Sequence, residues 1–317
     1  MPRTRSDCAP ARTSRIALTL LLAALMAACA SPASYTEPIT KFQKASTIVI
    51  ESARLEYGAA NTYERNAIID RLASRKQRLG LPDISGPDHE AIGPNDLRAR
   101  MLALDALAKH GEFLLALASN DASKRSKESA IKLGDSLGRL SESLKTTADS
   151  EFKVRASNFG KIAGSAVDFA IQTKITEALN QAIEISDASV SALIRQIRRD
   201  MENIYERRRS ILSEARVLAI NAYNEEVAQP NANSDRIEKA ATRVKQTTFA
   251  FEKLQLLVGV GPGLDAMTDA HLQLVVYARS TKSPQQLSDL IDAVDVFVAR
   301  AVIISEAIKA IDRPSKE

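Results

Sequence analysis

The fold is decided by residues 183–218, which read IEISDASVSALIRQIRRDMENIYERRRSILSEARVL. An aliphatic side chain recurs there at every seventh position, at Ile183, Val190, Ile197, Ile204, Ile211 and Leu218. A strict seven-residue repeat keeps one stripe of a helix against a partner helix through a left-handed supercoil. The stretch therefore predicts a long α-helix whose apolar seam packs on another helix. Any part of the seam that stays exposed is a candidate contact surface.

The same helix is predicted to extend well beyond the repeat. No proline occurs between Pro94 and Pro230, and the pattern favours one helix from about residue 150 to residue 228, loosened near Gly160 and Gly164. About 60 residues of continuous helix would reach ~90 Å, which is longer than a compact domain requires. The turn at residues 229–231 then predicts that the chain folds back as a hairpin.

The rest of the chain is also predicted to be helical. Leu97 and Met101 begin a stripe spaced alternately four and three residues apart, and similar stripes predict further helices. Ser283 and Gln286 form a capping-box start to the last helix. The predicted helices cover residues 38–79, 95–118, 122–147, 235–258, 264–280 and 284–312. We therefore predict an all-α fold, an antiparallel helical bundle with one very long helix forming a coiled-coil-like hairpin.

The first 28 residues have the features of a segment that is removed on export. Four arginines precede an uncharged run at residues 16–28, IALTLLLAALMAA, which is far too short to span a bilayer. Cys29 follows two alanines and Met26. This arrangement resembles the type II signal peptide and lipobox of bacterial lipoproteins, with methionine where leucine is usual. The alternative is an ordinary secretory signal with a chance cysteine at the cleavage edge.

The resemblance to lipoproteins implies a cellular location for the protein. It implies that Cys29 becomes the N-terminus and carries the lipid, and that Ala30 favours export to the outer membrane. The chain then consists of a signal peptide at residues 1–28, a lipidated tether at 29–37 and a single helical domain at 38–317. We expect a protein held by its lipid anchor at the periplasmic face of the outer membrane.

Removal of the signal peptide changes the balance of charge. The whole chain has 43 Lys and Arg against 39 Asp and Glu, and the first 28 residues hold four arginines and one aspartate. The mature chain keeps 39 against 38, a net charge of +1, so its composition gives no argument for nucleic-acid binding. Cys8 leaves with the signal peptide and Cys29 is committed to lipid. The fold is therefore expected to rest on packing without disulfides.

A cluster of arginines on the long helix is the candidate interaction surface. Its members are Arg198, Arg199, Arg207, Arg208 and Arg209. One interpretation is a site for anionic groups, such as lipid phosphates, an acidic glycan or an acidic protein. The other interpretation, which the interleaved carboxylates favour, is a solvated helix face with ion pairs, for example between Glu202 and Arg198 or Arg199.

No motif in the chain predicts catalysis or a cofactor. Residues 259–263, GVGPG, lack the Lys-Ser/Thr ending of a nucleotide loop and contain a proline, which predicts a tight turn between helices. His89, His110 and His271 have no partner at a recognisable metal-ligand spacing, and His89 with its acidic neighbours is more simply a solvated loop. We therefore predict no cofactor, no metal, no small-molecule substrate and no enzymatic activity.

These observations support two functional hypotheses. The first is a non-enzymatic structural or protein-interaction factor of the cell envelope, whose helical rod contacts a protein partner or a second copy of itself. The second is a periplasmic inhibitor or immunity-type lipoprotein directed against a toxic enzyme. Such a protein would use a protruding loop, and the longest irregular stretch, residues 80–94, is the candidate.

Overall fold

The computed structural model describes residues 33–85, 90–119, 122–172 and 175–312. Over these residues the regular structure is helical without any strand, which confirms the all-α fold. The α-helices of the described chain are α1 (Ala33–Ser74), α2 (Pro94–Ala118), α3 (Ala122–Leu144), α4 (Ser150–Gln172), α5 (Ile175–Val227), α6 (Ser234–Leu256), α7 (Val260–Arg279) and α8 (Pro284–Asp312). Most consecutive helices pack side by side, as expected for an antiparallel bundle.

The predicted continuous helix from residue 150 to residue 228 is wrong. The sequence forms two helices, α4 and α5, which run antiparallel and in contact, so that Glu151 at the start of α4 accepts a hydrogen bond from Arg199 of α5. Gly160 and Gly164 lie within α4. The reversal occurs because α4 has its own apolar stripe, which is buried only when α4 folds back onto the bundle. That stripe comprises Phe152, Ala156, Phe159, Ala163 and Ala166.

The seven-residue repeat of α5 packs inside the monomer. Its first four positions belong to one contiguous core, and the most exposed of them, Ile204, is only 8% exposed. Ile211 and Leu218 are partly exposed. The largest fully buried side chains of the core include Tyr57, Phe113, Phe152, Phe159, Tyr277 and Phe297. The seam is therefore used mainly for folding, and little of it remains as the contact surface expected from the sequence.

Helices α1 and α5 run parallel in a fixed register. Three contacts, spaced seven residues apart on each helix, join Tyr57 to Asp200, Glu64 to Arg207, and Arg71 to Glu214. The partners in every pair are 143 residues apart in the sequence, so both helices advance together. Ala33 at the start of α1 is therefore level with the first turn of α5, and both helices point toward the same end of the molecule.

An arm extends from that end of the bundle. We define it as residues 62–78 and 205–256, which comprise the last part of α1, the second half of α5 and all of α6. The contiguous core stops on α5 at Ile204, and the helix continues to Val227, about 35 Å farther. The buried apolar side chains described in the arm are Leu212, Ala219 and Leu254. Ion pairs join its helices, between Arg71 and Glu214, Arg243 and Asp70, and Arg236 and Glu226. The predicted hairpin is thus observed as a thin arm.

The start of α1 differs from the prediction. The helix begins at Ala33 and not at residue 38, so Pro38 lies inside it. Thr36 in its first turn donates a hydrogen bond to the carbonyl of Ala118 at 2.7 Å and ties this turn to the end of α2. The tether predicted at residues 29–37 is therefore wrong in its second half, because a tertiary contact stabilises helix where the local sequence indicated a linker.

The end of α1 also differs from the prediction. The helix stops at Ser74 and not near residue 79, because Lys76 adopts the left-handed backbone conformation (φ 53°) that closes a helix. Gly80, which directly follows the predicted helix end, donates its backbone N–H to the Asp83 side chain at 2.7 Å and starts a 3₁₀ turn. The segment predicted as an irregular loop thus contains a short ordered turn.

The glycine run at residues 259–263 forms a helix start. Helix α7 takes up most of the run in its first turn, earlier than the predicted start at residue 264. Gly263 lies so close to α8 that an added Cβ would be 2.5 Å from Ile304 Cδ1, so glycine permits this packing. The capping box predicted for α8 is confirmed, since the Gln286 N–H donates to Ser283 Oγ and the Ser283 N–H donates to Gln286 Oε1.

Candidate functional site

A cleft of about 330 Å³ lies where the arm joins the bundle. It is lined by the middle of α1, the segment before α2, Arg100 of α2 itself, the start of α4 and the middle of α5. We call it the junction cleft, and its polar lining includes Arg100, Asp149, Gln196, Asp200, Arg207 and Arg208. Because the cleft collects charged groups from four elements, it is the candidate functional site of the described chain.

Arg100 of α2 is the centre of a buried charged cluster. Its side chain donates hydrogen bonds to Asp200 at 2.8 Å and to Asp149 at 2.6 Å, and its guanidinium lies 4.6 Å from the centre of the Phe152 ring. Arg100 is 6% exposed and Asp200 is 9% exposed. Burial opposes the charge, but the hydrogen bonds to both aspartates and the charge of Asp200 hold the pKa of Arg100 above its ordinary value.

Asp200 of α5 accepts two further hydrogen bonds. The Tyr57 hydroxyl donates to it at 2.7 Å and the Gln196 amide donates at 3.2 Å. Burial, together with the charge of Asp200, raises the pKa of Tyr57 well above its ordinary value, so the phenol stays protonated and acts as a donor. The carboxylate is therefore buried with partners from three helices, α1, α2 and α5.

The start of α4 is fixed by backbone contacts that position Asp149. The Phe152 N–H donates to the Asp149 side chain at 2.9 Å, which is an N-cap contact. Burial opposes the charge, but this contact and the Arg100 guanidinium lower the pKa of the Asp149 carboxyl. On the other side of the cleft, the Asn61 side chain holds the backbone of Ile92 through two hydrogen bonds. The walls of the cleft are thus held by capping and amide contacts.

The predicted arginine surface does not form one site. Arg207 and Arg208 line the junction cleft, where Arg207 pairs with Glu64 and Arg208 pairs with Glu56 at 2.9 Å. Arg208 is buried, and its guanidinium lies 4.0 Å from the centre of the Tyr63 ring. Pairing of this kind is expected of charges that hold helices together.

The other predicted arginines lie outside the cleft lining and are also paired. Arg198 contacts Glu202 at 2.8 Å and Asp265 at 2.5 Å, as the sequence indicated for Glu202. Arg199 pairs instead with Glu151 of α4 at 2.9 Å, and Arg209 pairs with Glu206 at 3.4 Å. All five arginines therefore have carboxylate partners, which favours the ion-paired interpretation over a dedicated anion site.

Two histidines lie in the bundle core, away from the cleft. Ser186 donates its hydroxyl hydrogen to the Ala182 carbonyl at 2.6 Å and lies 3.2 Å from His110 Nε2, so His110 must be the donor in that second contact. Burial lowers the pKa of His110 to about 3 and that of His271 to about 4. Both rings are therefore neutral at physiological pH. His89 and Cys29 lie outside the described residues.

No family model, curated protein or solved structure matches this chain. Within the described ranges, no three His, Cys, Asp or Glu side chains form a group that could hold a metal ion. Across the same residues, none of the helices combines the length and apolar character needed to cross a membrane.

The sequence did not predict the charged cluster, although a signal was present. Arg100 stands at the head of a stripe that continues through Ala103, Leu107, His110, Leu114 and Leu117, all of which are buried. Asp200 stands between Ile197 and Ile204 on the buried face of α5. In both cases a single charged residue interrupts an apolar stripe with helical spacing. That feature could have indicated that Arg100 and Asp200 are buried charges.

Proposed function

We propose that this chain is a lipoprotein anchored through Cys29 to the periplasmic face of the outer membrane. In this proposal it acts without catalysis, as a structural or protein-interaction factor of the cell envelope. The arm is the part that presents helix surfaces to a protein partner. The observation that carries the proposal is the parallel register of α1 and α5, which separates the anchored end of the chain from the tip of the arm.

The dimensions of the molecule place the proposed lipid anchor far from the proposed partner-binding arm. Only three residues lie between Cys29 and the start of α1 at Ala33, so an extended tether reaches at most about 14 Å. The first turns of α1 and α5 are level, and α5 has 53 residues, which corresponds to about 80 Å of helix. A lipid on Cys29 would therefore lie close to the bundle and about 80 Å from the tip of the arm.

The junction cleft supports the arm at its base. Arg100 joins Asp149 of α4 to Asp200 of α5, and Tyr57 joins α1 to the same Asp200. These contacts connect four helices, α1, α2, α4 and α5, at the level where the contiguous core ends. In the proposed function the cluster is therefore a brace that sets the direction of the arm, and it requires no reaction at the cleft.

We expect the lipid anchor to depend on Cys29 alone. Replacement of Cys29 with alanine should abolish incorporation of labelled palmitate and leave the signal peptide uncleaved, because the thiol is the atom that carries the lipid. The matched control is Cys8→Ala, which changes the other cysteine and should be labelled like the wild type. The measurement is fatty-acid label on the purified protein. Label retained by Cys29→Ala would exclude the proposed anchor.

We expect a partner to contact the arm and not the bundle. A photo-reactive amino acid at Ile220, which is exposed on the arm, should give a cross-linked product in intact cells. The matched control is the same amino acid at Val296, which is exposed on α8 of the bundle. The yield from position 220 should be at least about tenfold higher, as judged by gel shift and mass spectrometry. Differently tagged copies identify self-association. Equal yields from both positions would contradict the proposal.

A further inference from the structure

A short basic segment follows α1 on the side of the arm. We call residues 75–81, RKQRLGL, the basic turn. Arg75, Lys76 and Arg78 are all exposed, and no acidic residue occurs among these seven positions. Two leucines in the same turn are also exposed, Leu79 by 48% and Leu81 by 77%, which is the highest exposure of any large apolar side chain in the described chain. The basic turn thus combines cations with apolar side chains that make little contact with the protein.

The backbone holds the basic turn in a defined shape. The Lys76 N–H donates to the Ala73 carbonyl at 3.1 Å, and the next residue's N–H donates to the Leu72 carbonyl at 2.9 Å. Lys76 has a φ of 53°, a conformation that glycine adopts far more readily than lysine. The Gly80 N–H then binds Asp83, which fixes the turn that displays Leu81. The turn therefore keeps a cation at a position where glycine would be favoured.

The acidic side chains near the basic turn do not pair with all of its cations. The nearest cation of α1, Arg71, makes a bidentate ion pair with Glu214. Arg75 also lies near Glu214 and helps to lower the pKa of that carboxyl, after the larger effect of the Arg71 hydrogen bond. Lys76 and Arg78 make no ion pair with any residue that the structure describes. At least two of the three cations can therefore meet an external anion.

Net charge is unevenly distributed over the molecule, and the excess of cations lies on the arm. The arm carries 14 Lys and Arg against 9 Asp and Glu, a net charge of +5. The rest of the chain after residue 28 carries 25 against 29, a net charge of −4. The small net charge of the mature chain thus conceals a basic arm and an acidic bundle. An anionic surface would attract the arm and repel the bundle.

We infer that the basic turn binds the surface of a membrane that contains anionic phospholipids. The exposed cations, of which Lys76 and Arg78 have no ion pair among the described residues, match the phosphate groups of such lipids. The adjacent exposed leucines match the boundary between headgroups and acyl chains. An acidic protein would need an apolar patch beside its carboxylates to bind both the cations and Leu81, whereas a lipid surface supplies both over its whole area. This inference goes beyond the proposed function, because it gives the arm a lipid contact that does not depend on Cys29.

The test uses residues 30–317, which contain every described helix and lack the lipidated cysteine. Its binding to vesicles of phosphatidylcholine is compared with binding to vesicles of an equimolar phosphatidylcholine–phosphatidylglycerol mixture. We expect strong preference for the anionic vesicles. Changing Arg75, Lys76 and Arg78 together to glutamine should lower the partition coefficient about 100-fold, since each cation near an anionic surface contributes roughly fivefold.

Two further variants separate the basic turn from general electrostatic attraction. The matched control changes three exposed lysines of the bundle, Lys124, Lys127 and Lys132, to glutamine and should bind like the wild type. Leu81→Ser keeps the charge and should weaken binding several-fold. The inference is overturned if the wild type shows no preference for anionic vesicles, or if both triple variants lose binding equally. Because Cys29 is absent from the assay, a failure of lipidation cannot produce either result.

Discussion

Replacement of Arg100 with methionine is expected to destabilise the fold by about 3–5 kcal/mol, because it leaves a buried carboxylate without its charged partner. Asp200 would keep only the Tyr57 and Gln196 hydrogen bonds at 9% exposure. Methionine fills a similar volume, so the loss reports on charge more than on packing. The measurement is the free energy of unfolding from urea titrations followed by circular dichroism.

Two further variants test whether the loss of stability in Arg100→Met comes from the unpaired charge of Asp200. Arg98→Met changes an exposed arginine of the same helix and should shift the free energy of unfolding by no more than about 0.5 kcal/mol. Combining Arg100→Met with Asp200→Asn removes the unpaired charge and should recover more than about 1 kcal/mol of the loss. A loss below about 1 kcal/mol in Arg100→Met would show that the cluster does not brace the arm.

Acid is expected to destabilise the protein steeply between about pH 6.5 and pH 4.5, by about 5 kcal/mol from two histidines alone. The pKa of buried His110 is lowered to about 3 and that of His271 to about 4. The unfolded chain therefore binds two protons in this range that the folded chain does not bind. Because these pKa values are lowered, the stability is complete above the ordinary histidine pKa and is lost as the pH falls.

The surroundings of the two rings explain why the pKa of each is lowered. His110 already uses its Nε2–H toward Ser186, so a second proton would sit on Nδ1, which has no partner among the described residues. His271 Nε2 is also without a hydrogen bond there, 3.9 Å from Asp187. Both rings line a cavity of only about 10 Å³, which leaves little room for solvating water.

A double variant provides the test of the acid effect. His110→Gln with His271→Gln should remove up to about 2.7 kcal/mol per pH unit from the slope of unfolding free energy against pH, since two fewer protons are taken up on unfolding. Each single variant should remove half of that slope. Unfolding titrations at several pH values measure it. An unchanged slope in the double variant would mean that other groups control the acid response.

The features predicted correctly from the sequence are those that depend on the local spacing of residues. The repeat from Ile183 to Leu218 indicated a helix with a packed seam, and Ser283 with Gln286 indicated a helix start, because the signals lie within one or two turns. The reversal between α4 and α5 was missed, since the sequence there contains neither glycine nor proline. Its cause is tertiary, because the stripe beginning at Phe152 can be buried only by folding back.

The candidate site was harder to predict for the same reason. Arg100 and Asp200 are 100 residues apart, and Tyr57 is 143 residues from Asp200, so their meeting depends on the register of whole helices. No spacing within one helix encodes that register. The arginines of α5 were conspicuous in the sequence, yet their partners, such as Glu56 and Glu64, lie on other helices. Single-sequence patterns indicate which residues are unusual but do not identify their partners.

The end of the apolar core at Ile204 divides the molecule into two mechanical parts. Apolar packing in the bundle is not weakened by charge screening, whereas exposed ion pairs such as Arg71 with Glu214 weaken as ions screen them. We therefore expect the bundle to keep its packing as the ionic strength changes. We expect the bending stiffness of the arm to fall as the ionic strength of its surroundings rises.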